Sequence, residues 1–505
     1  VSTVAPLHRP KTVLDLLRIP LLGRVLKSRN GRLWLQIPLL LVSLLLIYDG
    51  FSGSSRANEN LATVVPWVHY RGIVVIALLL LGNLFCMGCP FTLPRTLARR
   101  FVQPGRRFPK RLRNKGLAIA ALLVLFFLYE WLNLWSSPLL TAWVIVAYFG
   151  LSFVIEAFFD ESAFCKYICP LGTFNFVYST ASPTQIGARN PDTCRTCVGH
   201  ECVNGSFSMQ PVIRLDEIKG GEATIVHDRN GVLGCPTELF VPQIKSNLDC
   251  TQCLDCARAC PHDNVALFVR TPGRELIQSD AWPKRWDLIL LISSLAFLGL
   301  VNAFGMIPPV YDLIRSIAGV LSVSGSTVPA WAEAVALLLI FGVGGVILPL
   351  VAVSGAAALS RTITRTARKF SLRDTAAAFA PALVPIGFAI WIGHYGFHFL
   401  TGGLTIIPAL QTFFIERGIG WLGTAPDWSL VGITDLNLIG ALQVVILLGG
   451  FGWSLMIAER VSRRLYRRDS MPGLLPWALL FLALMLLTIA VFSQPMEMRG
   501  TILFD

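Results

Sequence analysis

Charge is scarce in this sequence. Of 505 residues, 14% are Asp, Glu, Lys or Arg, while 54% are hydrophobic. That balance lies outside the range of ordinary soluble domains and belongs in a bilayer. No Walker loop, dinucleotide fingerprint or Ser-His-Asp arrangement is present, and "GNLFCMG" offers no phosphate cradle. A self-sufficient enzyme with a soluble organic substrate therefore has little support. Cysteine is missing after residue 260: all twelve fall between Cys86 and Cys260. Such clustering points to a metal site.

What is abundant is apolar sequence. Stretches near the ~20 residues needed to cross ~30 Å of hydrocarbon recur at about 33 to 48, 72 to 88, 116 to 135 and 138 to 159. After the cysteine-rich region they recur at about 286 to 306, 331 to 353, 376 to 400, 436 to 457 and 473 to 493. Their lack of apolar-polar alternation excludes barrel strands, and helices satisfy every backbone group internally. The expected fold is thus an α-helical polytopic membrane protein of about nine spans.

The net charge of +13 is arranged by side. Of the 43 Lys and Arg, 38 lie before the first span, in the loops Arg95 to Lys115, Arg361 to Arg373 and Arg460 to Arg468, or between residues 160 and 285. The opposite loops keep Arg56, Arg71, Arg315, Arg417 and Arg499. The positive-inside rule makes the richer side cytoplasmic, with the amino terminus inside and the carboxyl terminus outside. Topology and contact with lipid headgroups then explain the arginine runs, and nucleic acid is not implied. The first 32 residues are basic and interrupted by Pro10 and Pro20, unlike a cleavable signal peptide, and are expected to form an amphipathic surface segment.

Eight cysteines lie between residues 194 and 260. Cys250, Cys253, Cys256 and Cys260 read C-x2-C-x2-C-x3-C-P, in which three thiolates of one tight loop hold a 4Fe-4S cube and the fourth ligates another cluster. Cys194, Cys197 and Cys202, with Cys235-Pro236 much later, read as the same motif with an insertion. Crossed ligation assigns Cys194, Cys197, Cys202 and Cys260 to one cluster, and Cys235, Cys250, Cys253 and Cys256 to the other. Two four-thiolate zinc sites are the alternative, but structural zinc usually separates its C-x2-C pairs. Disulfides do not suit a reducing cytoplasm. His200, His227 and His262 lie among these loops as polar residues, because eight cysteines already complete two cubes. The remaining pairs, Cys86-x2-Cys89-Pro90 and Cys165-x3-Cys169-Pro170, end two spans on the cytoplasmic side. They read as ligands of a third cluster, as a redox dithiol, or as inert apolar thiols.

"CMGCP", "CKYICPLG" and "CTQCLDCARACP" in this order resemble the membrane polyferredoxins of the NosR/NapH type, over about residues 72 to 270. The resemblance implies integral membrane 4Fe-4S proteins that pass electrons between membrane quinol, or its partners, and other redox centres. It carries the twelve cysteines over as candidate ligands. Two features depart from the family: the first pair has two intervening residues rather than the common three, and no flavin-binding domain precedes the first span.

The expected organisation is a basic segment (1-32), a four-span unit (33-159), a cytoplasmic ferredoxin-like α+β insert (160-285) and a five-span unit (286-505). The function read from it is an electron-transfer component of a respiratory or photosynthetic-type complex in a bacterial-type inner membrane. Its partners would be a quinone and a cytochrome or reductase. The alternative is a factor that assembles, matures or senses another metalloprotein. On the outer side, His394 and His398 share one helix face, and His69 and Glu130 are expected at similar depth. Ionisable groups inside membranes mark proton or ligand sites, so these four are candidates for a quinone or haem b site.

Overall fold

The computed structural model describes residues 14–28, 30–94, 106–159, 162–205, 232–278, 282–321 and 328–497. His227 and positions 95–105 of the basic loop lie outside them. Among the described residues, seven helical runs are long and apolar enough to cross a membrane: Leu33–Ser52, Leu61–Leu80, Pro138–Phe158, Trp286–Phe304, Ala330–Ile363, Leu372–Gly402 and Leu436–Phe492. The last run holds 57 residues. It turns at Arg467, whose φ of +52° separates the Leu436–Tyr466 and Ser470–Phe492 helices and lets them pack side by side. Gly116–Trp131 is a further apolar helix of 16 residues.

Burial divides these helices into a centre and a periphery. Leu372–Gly402 is 89% buried and Trp286–Phe304 72%, against 28% for Leu33–Ser52, Pro138–Phe158 and Ala330–Ile363. The outer helices turn Trp34, Leu41, Trp143, Leu338 and Val351 outward, as lipid contact requires. Small residues bring the central helices together: Gly387 lies against Ala296, Gly299 against Trp391, and Gly450 against Ala389 and the Pro385 carbonyl. Trp391 is fully buried, stacks on Phe126, meets Phe174 edge-on and donates its indole N–H to the Leu295 carbonyl at 2.8 Å.

The second run differs from its expected bounds. The helix spans Leu61–Leu80 rather than 72 to 88, with a π-helical turn at Val65–Tyr70. Arg71, expected in an outer loop, lies inside it. Its guanidinium stacks over Trp67, Tyr129 and Tyr395 at 4.6, 4.3 and 5.1 Å and donates to the Tyr129 hydroxyl. Aromatic faces solvate this cation where water is absent, and a search for uninterrupted apolar sequence cannot see that. The helix ends at Leu80, and Gly82, at φ +85°, turns the chain into a separate short helix, Leu84–Gly88.

Between the membrane helices, β1 (Thr184–Ala188) and β2 (Val265–Val269) pair antiparallel, with Thr184 opposite Val269 and Ala188 opposite Val265. Short helical turns surround them. Part of the amino-terminal segment packs onto this region. Leu14 accepts the Val269 N–H at 2.8 Å, Asp15 pairs with Arg189 at 2.8 Å, and Leu17 is buried among Ile186, Val241 and Leu267. Leu14, Ile19, Leu21, Leu22 and Val25 stay exposed, so much of its apolar side faces outward.

Neighbouring glycines test the central packing. Gly450→Val should cost about 1–3 kcal/mol by overpacking, because its Cβ would meet Ala389 Cβ. Gly449→Ala faces open space and should be neutral or slightly stabilising. Equal denaturation midpoints for both variants in detergent would contradict the packing.

Candidate metal centres

Cys194 on Pro191–Arg195, Cys197 beyond it, Cys202 on Glu201–Asn204 and Cys260 after Asp255–Ala259 line one cavity. Asn264 serves two of these sulfurs: its side-chain amide donates to Cys194 Sγ at 3.2 Å and its backbone N–H to Cys260 Sγ at 3.4 Å. His262 lines the same cavity, while the ring of His200 stands 5.0 Å from that of Phe240. Burial raises the Cys194 and Cys202 thiols above their ordinary range.

Cys250, Cys253 and Cys256 sit on a loop in which Gln252 and Leu254 have φ of +51° and +62°. These left-handed residues fold the loop tightly, which brings the three cysteines together. Cys235 faces them, and its own sulfur accepts the Leu239 N–H at 3.4 Å. Burial pushes Cys253 up to about 12 and raises Cys250 and Cys256 as well, and Cys235 adds to each shift. Cys250, Cys253 and Cys256 therefore favour the thiol over the thiolate unless a cation takes the proton's place. Cys250, Cys256, Cys202 and Cys260 belong to one packed cluster, so these first two sets share a wall.

Cys86, Cys89, Cys165 and Cys169 line a second cavity, walled by Phe85, Phe91, Phe164 and Phe176. The local folding explains their approach. Cys86 lies on the short helix after the Gly82 turn, Cys165 in a π-helical turn at Phe164–Ile168, and Cys169 caps the Pro170–Tyr178 helix, accepting the Gly172 N–H at 3.2 Å. That helix terminus offers the sulfur an N–H donor. Asn175 donates to Cys86 Sγ at 3.3 Å. Thr251, between Cys250 and Cys253, also lines this cavity. The second and third sets are therefore neighbours.

Sequence reasoning missed the residues that hold these sets in place. Asn83 donates to the Cys250 carbonyl at 2.9 Å, and Gln252 Oε1 accepts the Asn83 N–H at 2.8 Å. Arg32 pairs with Asp255 at 3.3 Å and donates to the Met87 carbonyl at 3.1 Å, within electrostatic reach of Cys253, Cys165 and Cys89. Lys115 pairs with Asp249 and donates to the Lys166 carbonyl at 2.9 Å. As sequence, Arg32 and Lys115 carried only a topological signal.

The donor chemistry of the three sets is four thiols each. Among the described residues, no three His, Cys, Asp or Glu side chains converge closely enough for one metal ion. A four-iron cube takes its thiolates at the corners of a wider tetrahedron, and N–H donors aimed at sulfur are what such clusters use.

Of the four residues expected at an outer site, His394 and His398 meet on Met306, Glu130 lies beside the neighbouring Gly305, and His69 sits between two backbone carbonyls. Each ring nitrogen of His69 lies against a backbone carbonyl, Val64 at 3.1 Å and Gly403 at 3.0 Å. Glu130 packs against Gly305. His394 and His398 are buried with both Nε2 atoms on Met306 Sδ, at 3.2 and 3.3 Å. Two imidazoles converging on one point from one helix face cannot be the axial pair of a single haem, which occupies opposite faces of the macrocycle.

Comparison with known proteins gives one distant relative. Over 115 residues, 23% of this chain, it is 25% identical to YccM of Escherichia coli (strain K12), a protein provisionally assigned to electron transport. The match spans about a quarter of that protein's length, 24%. No family model and no solved structure matches.

Asn83→Ala should leave the buried Cys250 carbonyl without its donor, at about 1–3 kcal/mol. The expected outcome is a lower midpoint of thermal denaturation and faster maleimide labelling of Cys250 in cluster-free protein, with labelling of Cys194 unchanged. Unchanged labelling at both positions would contradict this seating.

Proposed function

We propose that this chain is an integral membrane electron-transfer protein that relays electrons through 4Fe-4S clusters held by its three cysteine sets. A 4Fe-4S cluster supplies a one-electron couple when bound. The crossed sets Cys194/Cys197/Cys202/Cys260 and Cys235/Cys250/Cys253/Cys256 would hold two, and Cys86/Cys89/Cys165/Cys169 a third. The observation that carries this reading is the adjacency of the sets. The first two share a packed wall, and Thr251 borders the cavity of the third. Asn264, Asn175 and the Gly172 and Leu239 amides would donate to the ligating sulfurs and so bias the potentials. The third set lies nearest the membrane helices and would exchange electrons with a membrane carrier, quinol or a cytochrome. The first, more exposed set would face a soluble redox partner on the side rich in Lys and Arg. The distant likeness to YccM supports electron transport in general terms.

The second reading is a maturation factor for another metalloprotein, and one observation favours it: the buried Met306, His394 and His398 group gathers metal-type donors away from the cysteines.

Purified protein should contain roughly twelve iron and twelve sulfide per chain if all three sets are filled, or roughly eight if two are. In a redox titration followed by electron paramagnetic resonance, Cys253→Ser and Cys169→Ser should each remove a different signal. Zinc in place of iron, or signals unaffected by either substitution, would overturn the reading.

A further inference from the structure

The Leu372–Gly402 run begins next to the basic Arg361–Arg373 loop, and His394 and His398 lie near its far end. Four residues apart on a helix, they present their rings to one side. Facing them is Met306, in the turn that ends Trp286–Phe304. All three side chains are excluded from solvent, at 0%, 1% and 0% exposure for His394, His398 and Met306. Their Nε2···Sδ separations are 3.2 and 3.3 Å. An ion bound at about 2.0–2.1 Å to imidazole and about 2.3 Å to sulfur would hold those atoms roughly 3.5 Å apart at a tetrahedral angle. The donors already stand within a few tenths of an ångström of that spacing.

A second observation lies one helical turn earlier. Asn302 is fully buried, and neither its amide oxygen nor its amide nitrogen has a hydrogen-bond partner. Leaving both ends of a buried amide unsatisfied is costly, and such a group marks a place where something else binds.

From these observations we infer that Met306, His394 and His398 form a binding site for monovalent copper. The donor set decides the metal. Thioether and imidazole are soft to intermediate ligands and are neutral, so they suit Cu(I) better than Zn(II), which favours thiolate or carboxylate partners. Arg71 reinforces the choice of a low charge: its guanidinium rests on Tyr395, the residue next to His394. Glu130, packed against Gly305 beside Met306, supplies the nearest carboxylate on the opposing helices. The buried setting excludes water from the ion, and Asn302 lies one helical turn before Met306. This inference is independent of the iron-sulfur reading and holds whether or not the cysteine sets are filled.

Cysteine also binds Cu(I), so the test must identify the ligand rather than count copper. The full chain is produced with selenomethionine, purified in detergent, loaded anaerobically with one equivalent of Cu(I) in the presence of a competing chelator, and measured at the copper absorption edge. The expected spectrum contains nitrogen neighbours and one copper-selenium distance. Met306→Leu should abolish the selenium shell, and His394→Gln should lower Cu(I) retention against the chelator at least tenfold. Both variants should keep the wild-type thermal transition and visible cluster absorption. A copper shell of sulfur alone, a selenium shell that persists in Met306→Leu, or a haem Soret band lost in His394→Gln would each overturn the inference.

Discussion

The exchange of hydrogen bonds between Asn83 and the Cys250–Gln252 loop is the junction on which the cysteine sets depend. Gly82 ends the Leu61–Leu80 helix at a φ that places its missing Cβ 2.4 Å from Thr184 Oγ1, so the loop region can approach only because there is no side chain there. That approach lets Thr184 donate to the Leu81 carbonyl at 2.8 Å and Asn83 reach the Cys250 carbonyl. A helix terminus at a membrane face and a loop of left-handed residues both carry unpaired backbone groups. Here each supplies partners to the other. The same contact puts Thr251 at the cavity of the membrane-end cysteines, so one junction positions the second set against the third.

Charge is used sparingly and beside thiols. Arg32 is enclosed by Asp255, the Met87 carbonyl and Thr92, and Lys115 by Asp249 and the Lys166 carbonyl. Glu275, buried with Arg270, accepts the Asn247 N–H at 2.7 Å, and burial raises its carboxyl above the usual range. Buried pairs of this kind contribute little net stability but strongly disfavour arrangements that leave one member alone. Their effect is to fix position. A cation held beside four thiolates also offsets the negative charge that a cluster with four thiolate ligands would bring into a poorly solvated site.

The apolar runs were legible because span length and internal hydrogen bonding are constraints written in consecutive residues. Arg71 was misplaced because a cation over three aromatic rings is solvated by residues distant in sequence. The cysteine motifs were legible as spacing, since a tight loop must present its thiols at fixed intervals. What the spacing could not reveal was Asn83, Asn175 and Asn264, which serve the sulfurs and their loops from other elements. The contacts of the amino-terminal segment with Arg189 and Leu267 were not legible, because an amphipathic pattern fixes an apolar side without saying what lies against it. Met306 gave no signal at all, being a methionine in a chain where apolar residues are the background.

The cysteine sets differ in their surroundings, the first being the most exposed. Cys194, Cys197, Cys202 and Cys260 are all half-buried, and Val198 between them is 95% exposed. Cys250, Cys253 and Cys256 are buried behind Ile186, Val241 and Val265. Around the membrane-end set the walls become aromatic. A cluster's potential depends on its solvent exposure and on the N–H groups reaching its sulfurs. Three chemically similar four-thiol sets in three such environments would not share one potential. If clusters fill them, their surroundings would set the potentials apart with no difference in ligand type required.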